Sequence, residues 1–104
     1  MKRQQVKVIR WNEEKNIKLR LIRGISFEDI EEAILNENFH RIEIHPDQEK
    51  YPNQKKLFVE IDNYIYVVPF VENEDEIFFK TIYPSRKDTK LLLGVKSQKQ
   101  RSIF

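Results

Sequence analysis

The stretch KLFVEIDNYIYVVPFV, residues 56–71, predicts the centre of the fold. Its two halves, Lys56–Ile61 and Tyr64–Val71, are rich in the β-branched and aromatic residues that are typical of strands. Asp62-Asn63 separates them and makes a reasonable hairpin turn, although the glycine of the preferred turn is missing. Pro69 cannot donate a hydrogen bond to a neighbouring strand, so it marks an edge or a bulge. The stretch therefore predicts an antiparallel hairpin with one irregularity.

A helix is predicted well before this hairpin, in the N-terminal part of the chain. Asn12 is a good N-cap, and Gly24 stands where a left-handed C-terminal cap is wanted. The apolar residues Ile17, Leu21 and Ile22 share one face of this helix. We expect its lysines and arginines to reach toward water on the other side.

Further elements follow on both sides of the hairpin. Ser26 and Asp29 have the spacing of a capping box and predict a second amphipathic helix over residues 27–36. A last helix is predicted from about Arg86 to Leu93, ending at Gly94. The alternation of apolar and polar residues predicts strands over Val6–Trp11, Arg41–His45 and Glu76–Tyr83, and the two prolines of Pro46–Gln54 predict a loop.

These elements have the order β-α-α-β-β-β-β-α, which predicts an α+β fold. Consecutive hairpins predict an antiparallel sheet. We expect the helices to pack on one face of that sheet and to leave the other face open and partly aromatic. Residues 1–94 are expected to form a single domain, and residues 95–104 a basic, flexible C-terminal tail.

Composition excludes several classes of protein. The chain has 104 residues, enough for one modest core, and it has no cysteine for a disulfide, a zinc knuckle or thiol catalysis. It has neither a long apolar run nor a signal peptide, so we expect a cytoplasmic protein with no membrane partner. His40 and His45 are five residues apart on a predicted strand and point to opposite faces. We therefore expect no metal site and no cofactor.

Charge is distributed unevenly along the chain. Residues 1–24 carry eight Lys or Arg and two Glu, and residues 80–104 carry seven Lys or Arg and one Asp, so each end has a net charge of +6. Residues 25–45 and 46–79 each have a net charge of −5. If the two ends meet in space, they form a cationic face that suits a polyphosphate such as RNA. The alternative is that the charges are solvated faces and a loose tail.

The junction TIYPSRKDT, residues 81–89, is the clearest candidate for a site within the cationic C-terminal segment. Ser85 and Asp88 have the spacing of a capping box, and no histidine stands near Ser85 in sequence to activate its hydroxyl, so we interpret Ser85 as a helix cap and not as a nucleophile. Arg86 and Lys87 oppose the positive end of the helix dipole. A bound anion would explain them.

Three segments of the chain together resemble one known family. RWNEEKN (Arg10–Asn16), RGISFEDI (Arg23–Ile30) and TIYPSRKDT (Thr81–Thr89) are similar to the motifs of BrnT, the ribonuclease toxin of a bacterial type II toxin–antitoxin pair, whose fold is similar to that of RelE. The resemblance implies a RelE-like fold, an RNA substrate and a cognate antitoxin that inhibits the toxin. It also implies contact with operon DNA only through the antitoxin complex. The residues that match the family pattern are Lys15, Gly24, Ser26, Phe27, Glu28 and Arg86.

The resemblance implies metal-independent cleavage of RNA, because the 2′-hydroxyl of RNA can itself attack the adjacent phosphorus. The protein must align that attack, accept one proton, donate another and stabilise the added charge. Arg86 offers a planar fork for phosphate oxygens. The residues expected to carry the chemistry are Arg86, Lys15, Lys80, Tyr83 and Arg23, and those expected to bind RNA are Arg10, Lys18, Lys55, Lys87 and Lys90.

Several of these assignments have structural alternatives. Tyr83 is either an acid or stacking platform, or an aromatic residue that packs on the last helix. His45 is either a base or a strand-end residue without a catalytic role. The polar loop residues Tyr51 and Asn53–Lys55 either contact a nucleotide or form a solvated connection.

The chain also departs from the family pattern. Asn12 replaces an aspartate, Ile22-Arg23 replaces Lys-His, and Pro84-Ser85 replaces Ser-Ala. Thr81 aligns with an arginine of the last strand, with Lys80 beside it. These departures define a rival hypothesis, a noncatalytic module of the same fold that holds a partner protein or nucleic acid.

Overall fold

The structure, a computed structural model, describes the backbone of residues 7–102 and the side chains of residues 7–94. The order of elements matches the predicted order, except that the last predicted strand is divided into two. None of the helices in this part of the chain is long and apolar enough to cross a membrane. The elements are β1 (Val8–Arg10), α1 (Glu13–Arg23), α2 (Phe27–Leu35), β2 (Phe39–Ile44), β3 (Gln54–Ile61), β4 (Tyr64–Glu72), β5 (Glu76–Phe79), β6 (Tyr83–Pro84) and α3 (Arg86–Ser102).

The strands form one mixed sheet in the order β1-β5-β4-β3-β2, with β6 also paired to β4. All pairs are antiparallel except β1 with β5, which are parallel with Ile9 opposite Ile77. The prediction of a purely antiparallel sheet is therefore wrong at this edge. Parallel neighbours need a long connection, and most of the domain lies between β1 and β5 in the chain.

The predicted hairpin between β3 and β4 is confirmed. Asp62 and Asn63 both have positive φ, 54° and 64°, and Ile61 lies opposite Tyr64. Two successive positive φ values are the signature of the turn whose twist matches that of the strands. Asn and Asp tolerate this conformation better than most residues, which explains how the turn forms without glycine.

Pro69 lies beside a bulge, as one of its two predicted alternatives required. Phe79 is opposite Phe70 and Tyr83 is opposite Val67, so three residues, 80–82, face only two on β4. The Pro69 carbonyl accepts a hydrogen bond from the Lys80 N–H at 2.8 Å. The N and C=O of one strand residue point to the same side, so the Pro69 nitrogen also faces β5 and β6. The ladder of hydrogen bonds is interrupted there by the bulge, and the lack of an N–H at Pro69 therefore removes no regular hydrogen bond.

Helices cover both faces of the sheet, and the prediction that one face is open is wrong. On one face α1 and α2 pack against a core that includes Leu57, Val59 and Phe79. On the other face Leu93 of α3 packs against a cluster that includes Phe58. The physical reason is that β3 and β4 contain consecutive apolar residues, and consecutive residues of a strand point to opposite faces.

The predicted caps of α1 and α2 are present. The Asn12 side chain accepts a hydrogen bond from the Lys15 N–H, and Gly24 ends α1 in the left-handed conformation with φ 69°. Ser26 and Asp29 form the reciprocal capping box at the start of α2.

The buried face of α1 differs from the apolar face that the sequence indicates. Leu21 and Ile22 are 80% and 77% exposed, and Ile17 is 46% exposed. Instead α1 buries Asn16 and Leu19. The cause is Asn16, whose side chain accepts a hydrogen bond from the Phe27 N–H at 2.7 Å and donates one to Glu28 at 2.8 Å, which fixes the rotation of the helix against the start of α2.

The last helix does not end at Gly94 but continues to Ser102. Glycine inside a helix is unfavourable by only about 1 kcal/mol relative to alanine, and no proline follows to end the helix. The flexibility of residues 95–104 stays a prediction.

Candidate functional site

The candidate site is the corner where β6 leads into α3. Ser85 caps the helix there, because its hydroxyl oxygen accepts a hydrogen bond from the Asp88 N–H at 3.1 Å. The same hydroxyl donates to the Asp88 carboxylate at 2.6 Å. The Ser85 N–H does not complete a reciprocal capping box, since it donates to the Ile65 carbonyl of β4 at 2.9 Å. The predicted helix cap at Ser85 is therefore confirmed, but the predicted reciprocal capping box with Asp88 is not formed.

Four cations lie in the chain segments that form this corner. Within residues 7–94, Lys80, Arg86, Lys87 and Lys90 are all exposed and none of them forms an ion pair. The carboxylate nearest to them in sequence is Asp88, which is bound by the Ser85 hydroxyl and lies 3.7 Å from the Arg41 guanidinium. The corner therefore keeps positive charge available for a ligand.

Arg23 brings a fifth cation to this corner from a different element. Its guanidinium, at the end of α1, donates a hydrogen bond to the carbonyl of Ile82 between β5 and β6. Ile82 is two residues from Lys80, and two residues of chain span at most about 7 Å. Arg86 is four residues from Ile82 and is limited to about 14 Å by the same geometry.

Lys15 and Lys18, by contrast, make no described contact with the corner. Lys15 lies in the first turn of α1, about 12 Å along the helix axis from Arg23. Both lysines are exposed. The expectation that Lys15 acts together with Arg86 in the chemistry stays a prediction.

Two of the predicted RNA-binding residues are engaged in ion pairs. Arg10 contacts Glu76 at 2.9 Å across the parallel pair of strands. Lys55 contacts Glu72 at 2.8 Å, and Lys7 binds the same carboxylate. Hydrogen bonds from Lys55 and Lys7 lower the pKa of Glu72. These cations are partly neutralised, which makes them weaker candidates for phosphate than the corner residues.

Tyr83 is half-buried and packs with the cluster of Phe58, Ile65, Val67 and Leu93. This contact is the structural alternative that the sequence left open, an aromatic residue packed on the last helix. Catalysis by its hydroxyl stays a prediction.

The two histidines are occupied elsewhere. His40 Nε2 lies 3.1 Å from the Glu60 carboxylate. His45 Nδ1 accepts a hydrogen bond from the Asp47 N–H, and its ring packs on Tyr51 with the centroids 4.3 Å apart. In the part of the chain that the structure describes, no group of three or more His, Cys, Asp or Glu side chains is placed to hold a metal ion.

Sequence reasoning missed Tyr66, which lies directly opposite Pro84 in the sheet. Burial, with a smaller contribution from the charge of Asp62, raises the pKa of its phenol, and the ring packs against the core on the face that carries α1 and α2. In the sequence, Tyr66 has the same alternation as any tyrosine of a strand, so nothing there distinguishes it from a residue that only packs in the core.

The candidate site thus consists of cations at the β6–α3 corner that form no ion pair among residues 7–94, joined by Arg23. Tyr83 packs on the face of the sheet that carries α3, and Tyr66 packs on the face that carries α1 and α2. This arrangement can bind an anion with several oxygen acceptors, because guanidinium and ammonium groups from different elements can approach it from different sides. Comparisons with family models, with curated proteins and with solved structures find no match to this chain.

Proposed function

We propose that this protein binds RNA at the β6–α3 corner and cleaves it, as a BrnT-like toxin with a RelE-like fold. The observation that carries the proposal is the bond from Arg23 to the Ile82 carbonyl, which brings a guanidinium from α1 to the segment that leads to Arg86. The cations of this segment form no ion pair among residues 7–94. The segmental net charge of +6 at residues 80–104 supports the same proposal.

Binding would depend mainly on the phosphate backbone. Arg86 and Arg23 can each present parallel N–H groups to phosphate oxygens, and Lys80, Lys87 and Lys90 add charge. Binding of this kind weakens steeply as the salt concentration rises, because each neutralised phosphate releases counterions.

Cleavage would use the RNA 2′-hydroxyl as nucleophile. Its oxygen forms a bond to the adjacent phosphorus while the bond to the 5′-oxygen breaks, which leaves a cyclic 2′,3′-phosphate and a free 5′-hydroxyl. One group must accept the 2′ proton and another must protonate the 5′-oxygen. A lysine accepts that proton only as the neutral amine, a form that neighbouring cations favour. Lys80 is therefore the proposed base and Tyr83 the proposed acid, and the arginines together with Lys15 stabilise the negative charge of the phosphorane.

The test uses purified protein and a labelled single-stranded RNA in the presence of a chelator. We expect cleavage by the native chain, none by Arg86→Ala, and reduced cleavage by Arg86→Lys, which keeps the charge but loses the planar fork. Lys50→Ala is a matched control, because Lys50 is exposed in the loop at the opposite end of β4, roughly 20 Å away. Cleavage that survives Arg86→Ala would remove the proposed site.

The rival is a noncatalytic binding module, and one observation favours it. Tyr83 packs in an apolar cluster, and neither histidine makes a described contact with the corner, so no base stands out there. This rival predicts RNA or protein binding that Arg86→Ala weakens, with no cleavage at any protein concentration.

The proposed partner is a cognate antitoxin, with operon DNA contacted only through the antitoxin complex. Its presence can be tested by asking whether a neighbouring reading frame encodes a small DNA-binding protein that forms a complex with this chain and suppresses cleavage. A chain that cleaves RNA but has no such neighbour would retain the enzymatic proposal and lose the toxin–antitoxin assignment.

A further inference from the structure

The strand β2 is an edge strand with an open outer side. It lies at one end of the sheet, next to β3 only, and within residues 7–102 no other strand pairs with it. All six of its residues are exposed. The register with β3 shifts between Phe39 and Arg41, so the regular part of this edge is residues 41–44. This part presents unpaired backbone groups to any strand that can align with it.

The register with β3 identifies which backbone groups point outward. The His45 N–H donates to the Gln54 carbonyl, so His45 faces β3. The backbone N–H and C=O groups of successive residues alternate in direction along a strand. The backbone groups of Glu43 and Arg41 therefore also face β3, and those of Ile44 and Ile42 face outward. The N–H and C=O of Ile42 and Ile44 are therefore oriented toward a further strand.

The side chains of β2 divide into an apolar face and a charged face. Phe39, Ile42 and Ile44 are between 45% and 61% exposed and lie on the side of the sheet that carries α1 and α2. There Phe39 and Ile42 border an apolar groove of about 180 Å³. Arg41 and Glu43 lie on the other side.

We propose that β2 pairs antiparallel with β2 of a second copy of this chain, with the two-fold axis at Ile42. In this register the two copies of Ile42 face each other as a hydrogen-bonded pair, and Arg41 of each copy lies opposite Glu43 of the other. The result is one continuous sheet through both copies. The proposal is independent of RNA binding and cleavage.

The charges select this register over its neighbour. A shift of one copy by two residues along the other would place Glu43 opposite Glu43 of the second copy, and like charges directly opposite one another are destabilising. Arg41 already contacts Glu43 within one chain at 2.8 Å, so pairing exchanges one ion pair for another. The ion pairs therefore set the register, and burial of Ile42 and Ile44 with new backbone hydrogen bonds supplies the affinity.

The first test removes one outward N–H. Ile42→Pro deletes a donor that faces away from β3, so it disrupts pairing between copies while the β2–β3 ladder keeps its hydrogen bonds. Ile42→Val is the control, because valine keeps the N–H, the β-branched shape and an apolar side chain. By light scattering and sedimentation we expect the native chain and Ile42→Val to form a species of twice the 12.7 kDa chain mass, and Ile42→Pro to remain at the chain mass.

The second test uses charge reversal. Arg41→Glu alone and Glu43→Arg alone each place like charges opposite one another at two symmetry-related positions, and each should weaken self-association by about tenfold. An equimolar mixture of the two variants restores opposite charges at both positions. We therefore expect the mixture to form a heterodimer, and the double variant to form a homodimer again.

Two results would overturn the proposal. One is a native chain that stays at the mass of a single copy at every concentration tested. The other is a dimer that persists in Ile42→Pro or that shows no preference for mixing the two charge variants, since either would place the contact elsewhere. Circular dichroism of each variant separates loss of pairing from loss of folding.

Discussion

Arg23 and Ile82 are 59 residues apart in the chain, and the guanidinium of the first donates a hydrogen bond to the carbonyl of the second. Ile82 itself is fully buried, while the segment around it forms a bulge. The bond therefore joins the end of α1 to an irregular part of the sheet. It also fixes the guanidinium beside the cations that follow β5.

The first prediction concerns the share of RNA binding that Arg23 supplies. One of its N–H groups is used by Ile82, and the remaining donors can reach a phosphate. We expect Arg23→Ala to weaken RNA binding about tenfold and to reduce the slope of log K against log salt by about 0.7, the value for one phosphate of a single strand. Fluorescence anisotropy of a labelled RNA at several salt concentrations measures the affinity and its salt dependence.

Arg20→Ala is the matched control for this prediction. It removes the same charge from the same helix, but the Arg20 guanidinium is already 3.1 Å from the Glu28 carboxylate. We expect Arg20→Ala to weaken RNA binding clearly less than Arg23→Ala does. Equal losses in the two variants would show that only the net charge of the protein matters.

The second prediction tests the buried face of α1. Asn16 is fully buried and its side chain satisfies the Phe27 N–H, so Asn16→Leu leaves that donor unpaired. We expect a loss of about 1–3 kcal/mol in the free energy of unfolding, measured with urea. Leu21→Ala, on the exposed side of the same helix, should change it by less than about 0.5 kcal/mol. The opposite ranking would place the apolar face of α1 in the core.

Local features of the fold were predictable because their causes are local. The caps at Asn12, Ser26 and Ser85 and the turn at Asp62-Asn63 each depend on hydrogen bonds or φ values within a few residues, and all four are present. The same holds for the order of elements. These features require no knowledge of what packs against what.

The predictions were wrong where contacts between distant parts of the chain determine which residues are buried. The rotation of α1 depends on Asn16 meeting the start of α2, and polar residues carry no periodic signal of burial. The second covered face did have a signal, the consecutive apolar run Leu57–Val59, which a half-exposed strand would not contain. For the candidate site, the sequence was enough to propose Arg23 and Arg86 as site residues. The contact between Arg23 and the Ile82 carbonyl depends on the fold and could not be read from the sequence.

The third prediction concerns acid stability. Hydrogen bonds from Lys55 and Lys7 lower the pKa of Glu72 in the folded state, so the unfolded chain binds more protons in the acid range. The stabilisation is therefore complete above the ordinary carboxyl pKa and is lost as the pH falls through the lowered folded-state value. We expect Glu72→Gln to be less stable than the native chain near neutral pH, with the difference disappearing in acid.

Urea unfolding of both proteins across the acid range measures this difference. Glu74→Gln serves as the control, because Glu74 is exposed and forms no ion pair among residues 7–94. Its stability should follow that of the native chain at each pH. A Glu72→Gln difference that stays constant with pH would mean that the carboxylate acts through packing and not through its charge.

The last prediction concerns the two glycines, Gly24 and Gly94. The sequence predicts that each ends a helix, but in the structure only Gly24 does so. Gly24 has a left-handed φ of 69°, so Gly24→Ala should destabilise the protein by about 1 kcal/mol although no atom lies within 4 Å of the added methyl group. Gly94 lies inside α3 and is also free of contacts at the Cβ position, so Gly94→Ala should stabilise the protein by up to about 1 kcal/mol. Thermal and urea unfolding of the two variants give the signs directly. If Gly94→Ala also destabilised the protein, α3 would end at Gly94 in a left-handed cap, as its sequence first indicates.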